Sequence, residues 1–171
     1  MRGDLERSPL LEEWFPDLTM WGYRLTSDID FEYNCIAWAA GDDTQQWWPE
    51  HGYWPPDIRR ELTVDAFVEA FATRGYEPCE GDDYEPGYER IAIYVSDVGR
   101  PLHAARQLDS ERWTSKCGDS WDISHPLRAL EGKRYGHAKY FLRRPKRVDE
   151  PQSPTLTIAP SVVSSEREGA E

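Results

Sequence analysis

Long apolar runs are absent: no stretch approaches the ~18 residues needed to span a bilayer. The opening MRGDLERSPLLEEWF places acids where a signal peptide would carry a basic region and then an apolar one. The expectation is a soluble, cytoplasmic protein with no membrane partner. Cysteine is scarce, with Cys35, Cys79 and Cys117 forming an odd set without a C-x-x-C pair. That suits neither a secreted disulfide framework nor a zinc knuckle, so the thiols are expected reduced. Histidines 51, 103, 125 and 137 show no i,i+4 or H-x-E spacing, so neither a metal nor another cofactor is expected. Positive charge is in deficit, 20 basic against 32 acidic residues for a net −12. Such a chain repels phosphate backbones at long range, which excludes nucleic acid as a general partner.

What is present is one core's worth of apolar side chain. A chain of 171 residues corresponds to about one domain at ~150 residues each. It divides into a domain over residues 1–144 and a proline-punctuated tail without aromatics over 145–171, expected to be disordered. The first thirty residues read as a short helix and a turn wrapping the body. The uncharged run Y-N-C-I-A-W-A-A, closed by Gly41, predicts a buried helix from Asn34 to Ala40. Trp47, Trp48 and Trp54 follow in a loop stiffened by three prolines. Thr63 then caps a helix with Val64, Phe67, Val68 and Phe71 on one face and Gly75 beyond its end.

After Gly75 the period shortens to that of strands, at 76–79, 89–96, 101–108, 113–117 and 136–143. The short linkers D-V-G-R and D-S-E-R predict that the second, third and fourth form an antiparallel meander. Residues 122–130 read as a helical or looped excursion. The paired acids Asp42-Asp43 and Asp82-Asp83 read as solvated turns, lacking the spacing of a calcium loop.

The order of these elements places Cys35 at a helix N-terminus and His103 near the start of a strand. Free N–H groups and the helix dipole stabilise a thiolate there, and the cysteine's own N–H can face an oxyanion. A strand-borne histidine can act as its base, oriented by a third polar group. Cys35, His103 and either Asp122 or Ser115 are therefore the candidate catalytic set, with Asn34 beside the oxyanion. Arg106, Gln107 and Lys116 are candidate substrate holders, and Trp48 and Trp54 a candidate groove wall. Cys79 and Cys117 open no helix and read as packed thiols.

Y-N-C-I-A-W-A-A-G resembles the helix-opening segment of the NlpC/P60 and CHAP branch of papain-like thiol hydrolases, and I-A-I-Y-V-S-D-V-G-R-P-L-H-A-A resembles their paired strands. The stretch from Tyr33 to Arg143 also resembles a bacterial domain family of unknown function, through W-W-P, H-A-A-R-Q-L, W-T-S-K and D-I-S-H-P. The first resemblance implies a papain-like α+β fold, N-terminal helices on a C-terminal antiparallel sheet. It also implies a thiol hydrolase or acyl transferase attacking an amide of a protein or peptide. The strand after His103 offers Thr114, Ser115 and Lys116 where that group carries its orienting residue. The competing expectation is a non-catalytic binding module whose Trp47, Trp48 and Trp54 loop is the contact surface.

Overall fold

The computed structural model describes residues 7–107, 112–117 and 121–146. The proposed tail falls outside the described residues except for Pro145, which ends the last strand, and Lys146. Local chemistry sets each helix. Ser8 caps α1 (Pro9–Trp14), which has proline in its first turn, and α2 (Asp17–Trp21) follows at once. Asn34 caps α3 (Cys35–Ala40) by accepting from the Ala37 N–H at 3.1 Å, and Gly41 closes it in the left-handed region. Thr63 caps α4 (Val64–Ala72), whose Ala66, Phe67, Ala70 and Phe71 are buried.

The α+β expectation holds. Among the described residues seven strands form one wholly antiparallel sheet: β1 (Arg24–Leu25), β2 (Glu77–Cys79), β3 (Tyr88–Val95), β4 (Pro101–Gln107), β5 (Trp113–Lys116), β6 (Asp122–His125) and β7 (His137–Pro145). Their order across the sheet is β1-β6-β5-β4-β3-β7-β2. The predicted meander is β3, β4 and β5. The excursion expected at 122–130 begins instead as a strand, because Asp122–His125 pairs with β5 on one side and β1 on the other. Only Leu127–Leu130 is helical, as a short 3₁₀ turn. The N-terminal segment likewise holds two helices and a strand, not one helix and a turn.

Helices cover both faces of the sheet. Side chains alternate along β3, so Ile91, Ile93 and Val95 join one core with α3, α4, Trp47 and Trp54. Ala92 and Tyr94 join the other, with Leu11, Phe15 and Leu18 of α1 and α2 and their linker, and Leu127 and Leu130 of the 3₁₀ turn. We call these the first and second faces. No helix among the described residues is long and apolar enough to cross a membrane.

The turn that leads into β7 is closed by reciprocal backbone hydrogen bonds between Gly132 and Gly136, at 3.0 and 2.8 Å. Gly136 has φ +73°, and a Cβ there would overlap the Val95 carbonyl oxygen. Gly136→Ala is therefore expected to lower stability by more than ~1 kcal/mol, steric overlap adding to the positive-φ strain. Urea unfolding checks this, with Gly132→Ala, whose Cβ would meet nothing within 4 Å, as the milder comparison.

Candidate functional site

Cys35 and His103 lie on opposite faces of the sheet. In β4 the residue turned toward α3 is Ala104, which packs in the first-face core with Cys35. His103 pairs with Tyr94 across the β3–β4 ladder and meets the Tyr94 ring edge-on at 5.1 Å on the second face. Strand alternation thus separates the two groups that the sequence order brings together. Cys35 does open α3 as expected, but it is only 5% exposed. Burial pushes its thiol up to about 12, outweighing the backbone amides of Ala104, Ile36 and Cys35 that act the other way. A helix N-terminus favours a thiolate only where desolvation does not overwhelm it.

His103 is part of a different arrangement. His125 Nδ1 lies 2.7 Å from the Pro126 carbonyl oxygen, which requires the proton on that nitrogen. Nε2 of His125 is then an acceptor, and the Ser115 hydroxyl donates to it at 2.7 Å. The Ser115 oxygen in turn accepts from Nε2 of His103 at 3.0 Å. Nδ1 of His103 is left with a lone pair and no hydrogen-bond partner among the described residues. The ring stacks on Tyr135, with centroids 3.9 Å apart and planes within 6°. Ser115 therefore does reach His103, as a hydroxyl bridging two buried imidazoles and not as the orienter of a base facing Cys35. Burial holds the His103 pKa well below its ordinary value, and that of His125 at about 4.

Asp122 stands apart from His103. Its carboxylate accepts from the Tyr33 hydroxyl at 2.6 Å, and Lys116 Nζ lies 4.1 Å from the centre of the Tyr33 ring. Burial raises the Asp122 pKa against the pull of Tyr33 and Lys116. Lys116 is thus built into a cation–π contact. Asn34 is engaged by the loop that follows: besides capping α3, it accepts from the Trp47 N–H at 3.1 Å and donates to the Trp47 carbonyl at 2.9 Å. Arg106 meets Glu89 at 3.3 Å and its guanidinium lies over the Trp38 ring.

The aromatic loop packs against α4 as a lid on the first-face core. Trp54 and Trp48 meet Phe67 of α4 edge-on at 5.2 and 5.7 Å, and Trp47 is fully buried. Trp47 Nε1 donates to Asp42 at 2.8 Å, so Asp42 is no solvated turn acid. Burial opposes its charge, but hydrogen bonds from Thr44, Trp47 and Gln45 hold its pKa at about 2.

Two features were missed from sequence. His125 carries no metal-ligand spacing in the sequence, but the D-I-S-H alternation puts it on the same face of β6 as Ile123, with Asp122 and Ser124 on the other. The second is a cleft of about 390 Å³ at the end of the second face, bordered by Trp21, Trp113, Gln107 and the Asp82–Tyr84 loop. Among the described residues no group of three His, Cys, Asp or Glu could hold a metal ion.

A family model described as a domain of unknown function (DUF7689) matches residues 24–143, from the first residue of β1 into β7. No curated protein and no solved structure matches the chain.

The two neutral histidines make stability pH-dependent. Unfolded, each takes up a proton near pH ~6.5; folded, His125 resists until about 4 and His103 lies well below its ordinary value. Their contribution is complete above pH ~6.5 and is lost as pH falls toward 4, at up to ~1.4 kcal/mol per pH unit for each. Urea midpoints measured from neutral to acid pH should fall along this slope; a flat profile between pH ~6.5 and ~4.5 would contradict the tautomer chain.

Proposed function

As the chain belongs to the DUF7689 family, whose description carries no activity, we propose from its own geometry that it is a non-catalytic module that binds a protein partner. One observation carries this reading. Of the seven large hydrophobic side chains exposed among the described residues, five lie between Leu10 and Phe31, and Met20 and Trp21 are 79% and 55% exposed. Large apolar groups left in water along one segment are what an interface core uses. The buried Trp47 and Trp54 move the proposed contact surface from the aromatic loop to this N-terminal segment.

The second reading is a papain-like thiol hydrolase with Cys35 as nucleophile. In its favour are the position of Cys35 at the start of α3 and the amides of Ala104, Ile36 and Cys35 near its sulfur. It requires His103 on the first face, which a one-residue shift of β4 against β3 would achieve. That shift would break the hydrogen bond from His103 to Ser115, 3.0 Å in the observed register, and the stack of His103 on Tyr135.

Thiol chemistry separates the readings. With iodoacetamide at pH ~8 the native protein should label first at Cys79, which is half-buried, while Cys35 and Cys117 react only as the protein unfolds. Peptide mapping by mass spectrometry checks the order. Partner capture from source-cell extract should survive Cys35→Ala and be lost with Met20→Ser/Trp21→Ser. Fast labelling of Cys35, or amide hydrolysis abolished by Cys35→Ala, would overturn the binding reading.

A further inference from the structure

The cleft on the second face has walls of Trp21, Tyr84 and Trp113 and a rim carrying Asp82 and Asp83. Neither carboxylate has an ion-pair partner among the described residues, while the arginines around them are engaged. Arg90 and Arg143 both hold Glu85, at 3.1 and 2.7 Å. Arg128, which lines the cleft, is paired with Glu131 and donates to the Ala138 carbonyl at 3.2 Å. The double grip on Glu85 also fixes the loop that bears Asp82 and Asp83, as does Arg90 donating to the Gly81 carbonyl at 3.1 Å. The result is a site of uncompensated negative charge on a held backbone.

A separate observation points to a ligand in the same place. Gln107 lines the cleft, is only 2% exposed, and its carboxamide has no hydrogen-bond partner among the described residues. Its amide atoms are not sealed inside the protein and are open toward the cleft that the residue lines. A donor entering the cleft would satisfy its oxygen. Trp21, more than half exposed, lines the same cleft.

We propose that this cleft binds an arginine side chain presented by the protein partner; this rests on the binding-module reading and names its anchor. Arginine suits these groups better than lysine. Its planar guanidinium stacks on an indole while its fork of N–H donors reaches a carboxylate and an amide oxygen together. Trp21 precedes the residues that the family model matches, so one wall of the cleft comes from outside the segment shared with the family.

The test is titration of the full chain with Ac-Gly-Arg-Gly-NH2 and with its lysine and citrulline counterparts, followed by calorimetry and by the Trp21 indole resonance. The arginine peptide should give a saturable shift and bind more tightly than the lysine peptide. The citrulline peptide, isosteric but uncharged, should bind at least about tenfold more weakly. Asp82→Asn/Asp83→Asn and Trp21→Ala should each weaken arginine binding by about tenfold. Gln107→Leu should weaken it too without lowering the melting temperature, since the carboxamide makes no hydrogen bond to another described residue that the fold would lose. Equal binding of the citrulline peptide, variants that bind like the parent, or no saturable shift with the arginine peptide would each overturn the proposal. Mass spectrometry of the same peptides keeps the two ideas apart. Cleavage abolished by Cys35→Ala would sink the non-catalytic reading, whereas intact, unbound peptide would sink the cleft alone.

Discussion

The ladder between β3 and β4 is the constraint from which the rest of the arrangement follows. Its register pairs Ile93 with Ala104 and Tyr94 with His103, and the period of two sends alternate residues to opposite helical layers. Both faces are buried, so the register has little freedom. A one-residue slip would exchange Ile91 and Ile93 with Ala92 and Tyr94, all of them fully buried. It would also pull the Tyr94 hydroxyl from the Leu127 carbonyl. The sheet is held in place from both sides, and the chemistry available on each face is decided with it.

Each face then solves the problem of its buried polar groups differently. On the first, the C-terminal end of α3 presents orphan carbonyls and partial negative charge. Arg74 reaches the Ala40 carbonyl at 3.5 Å and Asp42 at 3.8 Å. Glu89 gathers Arg106, Arg144 and the Tyr76 hydroxyl at 3.3, 3.3 and 3.1 Å. A buried charge of this kind persists only when it is paired and hydrogen-bonded. In the middle of the second face the solution is uncharged: two neutral imidazoles and a serine hydroxyl pass hydrogen bonds to a single carbonyl, while Arg90 nearer its end is paired with Glu85. Because the cationic form of either histidine would be unpaired there, burial drives both toward neutrality. Both histidines are thereby held neutral within the second-face core.

Much of the fold was legible in particular residues. Asn34, Thr63 and Gly41 announce helix ends, and each makes the backbone contact or conformation its position predicts. The short D-V-G-R link predicts the β3–β4 hairpin, which closes through the Ser96 N–H to the Arg100 carbonyl. The strand at Asp122–His125 was not legible, because four residues beside a proline carry too little periodicity and one of their two pairing partners, Arg24–Leu25, lies far away in sequence. Candidate residues were legible by type but not by company. Ser115 and His103 do meet, while Asp122 goes to Tyr33, Asn34 to Trp47 and Lys116 to the Tyr33 ring.

What the sequence by itself determined is the local framework: capped helices, an antiparallel meander, an aromatic proline-stiffened loop and an excess of negative charge. These follow from contacts within a few residues and from composition. Which side chains share a face was decided only by the tertiary structure. That depends on a strand register set by packing on both sides of the sheet, and the order Cys35 then His103 carries no information about it. The cleft has the same origin, since Trp21, Asp82 and Gln107 come from three separate segments and are joined only when α2 and the β2–β3 loop dock on the same end of the sheet.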